Sequence, residues 1–111
     1  FIVVATRGHR YDSDALAAAA KTPASYVGLL GSKRKIILIY EDLIKSGLPK
    51  DRIKELRAPI GLEINARTPD EIAISIMSEI LLFRLGGSGK HMKLNDDLVE
   101  KIFSKYADVL S

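Results

Sequence analysis

Residues 26–30, Tyr-Val-Gly-Leu-Leu, form an apolar, β-prone run that ends in Gly31-Ser32 and passes directly into Lys33-Arg34-Lys35. A strand that turns on glycine straight into a helix is the recurring joint of α/β folds. A second run, residues 1–5 (Phe-Ile-Val-Val-Ala), shows no apolar–polar alternation and reads as a fully buried parallel strand. Between the two, Asp12 or Ser13 caps a helix through about Lys21. Leu16 and the alanines at 17–20 keep it slim, and Thr22-Pro23 ends it. Strand, helix, strand implies a right-handed parallel crossover. No other segment reads convincingly as a strand, and two parallel strands do not make an independent sheet. The dinucleotide fingerprint G-x-G-x-x-G is also missing after the first strand. The expected fold is therefore α/β: a Rossmann-like parallel sheet with flanking helices, present only as its second half, followed by a C-terminal amphipathic helix. The chain opens on Phe1 with no methionine, inside a strand. That points to a fragment or a processed chain, its sheet completed by a missing N-terminal segment or by another copy in a homo-oligomer.

Three cations in a first helical turn oppose the helix macrodipole by about 0.3–1 kcal/mol each. An anion bound there reverses the sign, because free backbone N–H groups and the cations then face one charge. Gly31 and Ser32, with Ser32 as N-cap and Lys33 and Arg34 beside it, are accordingly candidate phosphate or carboxylate ligands. A solvated basic helix start would carry the same residues. Thr6-Arg7-Gly8-His9 follows the first strand at its carboxyl end, where open α/β sheets gather ligand-binding groups. His9 can serve as a base, an anion donor or a polar contact, or simply as a loop histidine bonded to backbone. Gly8 permits a turn or a close ligand approach.

Further along, a helix over 33–46 turns Ile36, Ile37, Ile39, Tyr40, Leu43 and Ile44 inward and ends at Gly47. Pro49 at a first helical position starts a short helix over 50–56. Residues 58–65 mix Pro59, Gly61 and Asn65 with apolar side chains and read as a buried loop, a common setting for a site. Gly61 and Glu63, its one charge, join the candidates, and Glu63 reads equally as a surface or capping carboxylate. Thr68-Pro69-Asp70-Glu71 is a capping box with proline at the first helical position, opening a helix to about residue 85. Ile72, Ala73, Ile76, Met77, Ile80, Leu81 and Phe83 cover most of its circumference, so burial on two sides is expected. Glu71, Ser75, Ser78 and Glu79 are left as a solvated stripe, with a ligand-facing stripe as the alternative. Gly86-Gly87-Ser88-Gly89 reads as a hinge. A last helix over 95–110 carries Leu98, Val99, Ile102, Phe103, Tyr106 and Leu110 at helical spacing and has to dock on something. Residues 1–87 thus form one unit, and residues 88–111 a hinge and helix.

Composition narrows the function. The net charge is +3, the basic residues are dispersed and tryptophan is absent, which argues against nucleic acid. Without cysteine there is no disulfide, thiolate metal site or redox dithiol, in keeping with the cytoplasm. Apolar runs such as residues 36–40 are far too short to span a membrane, and no signal peptide is evident. No nucleophile–base pair or metal-ligand cluster stands out, so a binding role is expected before a catalytic one.

Taken together, Thr6-Arg7-Gly8-His9 with Asp12, residues 26–35, Pro59-Ile60-Gly61-Leu62, and Thr68-Pro69-Asp70-Glu71-Ile72-Ala73 leading to Ser75-Ile76-Met77 and Glu79-Ile80 resemble one family. It is the C-terminal Rossmann-like domain of the XdhC/CoxI accessory proteins for molybdenum hydroxylases such as xanthine dehydrogenase and carbon monoxide dehydrogenase. The resemblance runs from Ile2 to about Gly89. It implies a chaperone that binds molybdenum cofactor, a phosphate-bearing molybdopterin often extended by a nucleotide. Such a protein protects the cofactor while its terminal sulfur is installed and inserts it into the apo hydroxylase, with a sulfur-donating cysteine desulfurase as a further partner. The family usually has aspartate at Glu63 and glycine at Asn65. Its N-terminal domain and opening glycine-rich turn have no counterpart in these residues. An NAD(P)- or nucleotide-binding oxidoreductase half-domain is the alternative.

Overall fold

The computed structural model describes residues 1–6 and 8–110, with only the backbone of His9 and Leu110. Two strands, β1 (Ile2–Val4) and β2 (Val27–Leu29), pair in parallel, with Ile2 opposite Val27 and Val4 opposite Leu29. The expected flanking residues take ladder bonds without counting as strand: the Ile2 N–H donates to the Tyr26 carbonyl and the Leu30 N–H to that of Val4. Beyond β2 the sheet gains a vestigial third member where Arg57 bridges Gly28 in parallel. The Arg57 N–H donates to Val27 O at 2.9 Å, and the Leu29 N–H donates to Arg57 O at 3.0 Å.

Side chains alternate across a strand, so β1 and β2 present two faces. Val4, Val27 and Leu29 meet α1 (His9–Ala20) and α2 (Lys33–Lys45) through Leu16, Ile36, Ile39 and Leu43, which forms the hydrophobic core. The small residues of α1, Ala19 and Ala20, let it lie close to the sheet, as their spacing predicts. α3 (Lys50–Glu55) adds Ile53 and, just past its end, Leu56. Its Arg52 guanidinium donates to the carbonyls of Ala20, Thr22 and Ala24 at 2.7, 3.0 and 2.9 Å and fastens α3 to the connection entering β2.

The opposite face meets α4 (Pro69–Leu85), whose start follows the expected capping box in full. Here the burial pattern departs from the expectation in part: Glu71 is exposed and Ile72, Ile76 and Ile80 are half-buried, in keeping with it, but the rest of the pattern is not. Ser75 and Glu79 are buried, while Ile74, Met77 and Leu81 face solvent. The Tyr26 hydroxyl donates to Glu79 at 2.8 Å, and the Ser75 hydroxyl donates to the Leu62 carbonyl at 2.6 Å. Specific polar partners therefore orient this helix alongside its half-buried isoleucines. Phe83 completes the contact in edge-on packing with Phe1 and Tyr26, under the Arg57 guanidinium.

Other boundaries shift for local reasons. α1 starts at His9 with Gly8 as its N-cap, because Asp12 is drawn inside and is not free to cap. Pro49 is the N-cap of α3 and not its first helical residue. Phe1 and Val3 are exposed, so β1 is not buried on both faces, and α2 leaves Ile37 and Ile44 outside. Glu63, Ile64 and Asn65 lie exposed at the end of a loop whose buried anchor is Ile60. The last helix breaks at Tyr106 into α5 (Asp96–Lys105) and α6 (Ala107–Leu110). No residue of α5 is buried, and the radius of gyration is 20.0 Å, against about 13 Å for a compact chain of this size.

Candidate functional site

Because β1 and β2 are parallel neighbours, whatever follows each strand lies side by side at one carboxyl edge. Thr6 follows β1, and Gly31 and Ser32 follow β2. One fully buried carboxylate ties the two ends together. Asp12, in the first turns of α1, accepts from the Thr6 hydroxyl and pairs with Lys35 in the first turn of α2. Burial by itself raises its pKa. The Lys35 ammonium and the Thr6 hydroxyl and backbone N–H outweigh that and hold the carboxyl below its ordinary value.

The three basic residues at the start of α2 therefore divide. Lys35 is committed to Asp12, whereas Lys33 and Arg34 are exposed and make no ion pair among the described residues. Ser32 caps the helix as expected, its hydroxyl accepting the Lys35 N–H at 3.3 Å. The N–H groups of Lys33 and Arg34 belong to the first turn and have no acceptor within the helix. Gly8, with φ 99°, opens α1 at the same edge without a side-chain cap, so the amino ends of two helices meet there. Arg7 and the His9 side chain lie outside the described residues; the His9 backbone belongs to α1 and not to a loop.

Gly61 and Glu63 sit on the far side of β2. They line a cleft of about 410 Å³ with Leu30, Ile60, Ile72 and Ser75, and Leu30 immediately precedes the Gly31 turn. Gly61 has φ 105°, and a Cβ there would stand 2.4 Å from Ser75 Oγ, so backbone and space both require glycine. Glu63 accepts the Asn65 N–H at 2.6 Å and closes a local turn in which Asn65 adopts φ 60°. That is the capping role open to it in the sequence, and its negative charge does not favour an anion beside it. The candidates thus separate into Thr6, Gly8, Gly31, Ser32, Lys33 and Arg34 at adjoining strand ends, and Gly61 with Glu63 around the neighbouring cleft. Sequence reasoning missed Asp12 and Lys35 as the clamp between them. Its trace was Asp12 inside the motif and a third cation in excess of what capping needs.

A family model described as the XdhC Rossmann domain matches residues 1–80. The chain is 38% identical over 89 residues to the uncharacterized protein YqeB of Escherichia coli K12, covering 80% of this chain and 16% of that protein. It is 33% identical over 70 residues to the E. coli molybdenum cofactor insertion chaperone PaoD, covering 63% of this chain and 22% of PaoD. To a probable xanthine dehydrogenase subunit of Bacillus subtilis it is 32% identical over 82 residues, covering 74% of this chain and 23% of that protein. Among solved structures, a xanthine dehydrogenase from Bacillus halodurans superposes with a TM-score of 0.58 at 30% identity, over 81% of this chain and 25% of that one. The chain spans a quarter or less of the length of each of these proteins.

Proposed function

The chain belongs to the XdhC Rossmann-domain family, and from that premise we propose that it serves the maturation of molybdenum hydroxylases by holding the anionic end of molybdenum cofactor. The observation that carries this reading is the pair Lys33 and Arg34. Both are free of ion pairs among the described residues, and both stand on an α2 start whose first N–H groups lack helical acceptors. The donor set fits a phosphate: two exposed cations, backbone N–H groups, and a second helix start at Gly8 alongside. Asp12 is neutralised by Lys35 and so does not repel the incoming charge. The cleft beside Leu30 and Gly61 has room for the pterin or nucleotide portion. When bound, the cofactor supplies the metal and sulfur chemistry, while these residues bind and orient its phosphate.

In this reading the protein is a cofactor chaperone and not a catalyst. It works in the cytoplasm with an apo molybdenum hydroxylase and a sulfur-donating cysteine desulfurase as partners. Residues 1–87 carry the Rossmann unit, and residues 88–111 a separate hinge and helix. The names of PaoD and of the B. subtilis relative support the pathway, and the geometry at α2 supports the mode of binding.

The test is equilibrium binding of molybdenum cofactor to the protein and to a Lys33→Gln/Arg34→Gln variant across a salt series, under anaerobic conditions. The variant is expected to bind about tenfold more weakly or worse, the size of one lost charge-assisted hydrogen bond. Its affinity should also depend less on salt. Equal affinity and equal salt slope would return Lys33 and Arg34 to a solvated helix start. A preference for NAD(P) over molybdenum cofactor would assign the same turn to a nicotinamide nucleotide.

A further inference from the structure

α4 turns Ser75 and Glu79 inward and leaves an apolar stripe outward. Ile74, Met77 and Leu81 are 61, 53 and 44% exposed. Their spacing of three and then four residues sets them in one line along the helix, the narrow seam of a coiled-coil contact. Leu85 extends the line to the end of the helix and is 74% exposed. A contiguous apolar strip of this kind marks an interaction surface.

A second unpartnered seam lies on the same chain. Leu98, Ile102 and Tyr106 recur every four residues on α5 and at its end, and each is about half exposed. The charges of the two helices also run in matching order. α4 begins with Asp70 and Glu71 and ends with Arg84, while α5 begins with Asp96 and Asp97 and ends with Lys105. Laid antiparallel over the C-terminal half of α4, the acidic start of α5 meets Arg84 and its basic end points toward the acidic start of α4. Laid parallel there, Lys105 meets Arg84.

The connection decides whose seam is covered. Gly86 caps α4 in the left-handed conformation, its N–H donating to Leu82 O at 2.9 Å. A Cβ on Gly87 or Gly89 would stand 3.3 or 3.2 Å from the Leu82 side chain, so the linker is laid against the last turn of α4. The Lys90 N–H donates to the Ser88 hydroxyl at 3.1 Å in a further turn. This ordered path sends α5 away from its own α4, and the molecule extends 68 Å along its long axis.

We propose that the α5–α6 arm docks antiparallel on the outer seam of α4 in a second copy of this chain, so that two copies exchange arms about a two-fold axis. Exchange covers both seams at once, and the contact closes without leaving a free arm. Two such reciprocal contacts between half-exposed apolar side chains reach an area on the order of 1,600 Å², that of a standard stable interface. The proposal is independent of which ligand the strand ends hold.

The chain has no cysteine, so single cysteines report contacts cleanly. Leu81→Cys in an affinity-tagged copy and Ile102→Cys in an untagged copy are mixed at full length and treated with a short bis-maleimide. The expected product is a tagged–untagged covalent pair, exceeding either like–like pair. Light scattering on the unmodified chain is expected to give a dimer. Ile102→Asp is expected to give a monomer of unchanged helical circular dichroism, since the residue is not buried within its own chain. A monomeric parent would overturn the proposal. So would a link formed inside one chain by the Leu81→Cys/Ile102→Cys double variant. A dimer that survives Ile102→Asp and yields no tagged–untagged link would place association at the open edge of β1 instead, and that too would overturn it.

Discussion

The two faces of the sheet are made by the same two strands and covered in opposite ways. On one face Val4, Val27 and Leu29 meet Leu16, Ile36 and Ile39 in a closed apolar core. On the other, Tyr26 and Gly28 meet Ile60 and the polar side of α4, while Phe1, Val3 and Leu30 remain exposed. Apolar burial holds the first face, and such contacts are interchangeable in kind. The second is held by a few directional contacts: a tyrosine–glutamate hydrogen bond, a serine on a backbone carbonyl, and three aromatic rings. Directional contacts position a helix while leaving its outer face free for a further partner. The core face supplies the stability of this unit, and the α4 face is where it is fitted to something else.

The comparison breaks most readily at the core. Ile39 is fully buried, and Ile39→Ala is expected to cost about 2–5 kcal/mol, a large share of the stability of a chain this size. Met77→Ala on the outer seam of α4 is expected to change stability by about 0.5 kcal/mol or less. Urea titration at a concentration that keeps the chain monomeric measures both. Similar losses for the two would show that α4 contributes to one continuous core.

Gly61→Ala probes the joint between the two faces. The substitution imposes a left-handed alanine and drives a Cβ into Ser75 Oγ, which must release its bond to the Leu62 carbonyl. The expected cost is about 2–3 kcal/mol. It should fall on α4, so amide exchange near Ser75 should accelerate more than exchange in α1. Uniform acceleration would mean that the two faces unfold as one.

How legible these features were in the sequence depends on how local their causes are. The start of α4 is fixed within four residues by Thr68, Pro69 and Glu71, and the sequence shows it completely. The Ser32 cap and the Gly47 turn are equally local. The inward face of α4 is not, because Tyr26 and Glu79 are 53 positions apart, and neither carries a sign of the other. An apolar-inward rule then chooses the wrong side. Gly8 shows the same limit on a smaller scale: it caps α1 with no side chain, and the nearby Asp12 that looked like the cap is buried as a clamp. The placement of the strand ends followed from parallel pairing alone. The division of labour among Lys33, Arg34 and Lys35 needed the position of Asp12.

Asp12→Asn tests the clamp on the well-covered side. The variant keeps the size of the side chain, loses the charge facing Lys35, and is expected to cost about 1–2 kcal/mol at neutral pH. The Asp12 pKa is lowered in the folded state. Its contribution is therefore fully present above the ordinary carboxylate value near pH ~4 and is lost as pH falls through the folded value. Parent and variant should converge in stability below about pH 4. A constant gap down to the acid limit would show that packing around Asp12, and not its charge, joins the strand ends.

A further effect lies at the bond that orients α4. Burial raises the Tyr26 pKa most, the hydrogen bond to Glu79 and its charge raise it further, and Arg57 opposes them more weakly. A folded-state pKa above the unfolded one means that the protonated phenol stabilises the fold. That stabilisation is complete below the ordinary tyrosine value near pH ~10 and is lost as pH rises through the folded value. Tyr26→Phe keeps the ring against Phe1 and Phe83 but leaves the Glu79 carboxylate without its donor. The expected loss at neutral pH is about 1 kcal/mol. The decline of stability above pH ~10 should become shallower. It should not vanish, because burial also raises the pKa of Tyr40, on the core side. Tyr40→Phe should therefore flatten the alkaline limb without loosening α4, and Tyr26→Phe should do both. Urea midpoints at neutral and alkaline pH, read alongside amide exchange in α4, separate the two tyrosines. If Tyr26→Phe left α4 exchange unchanged, the aromatic contacts alone would be holding that helix, and the directional account of the second face would fail.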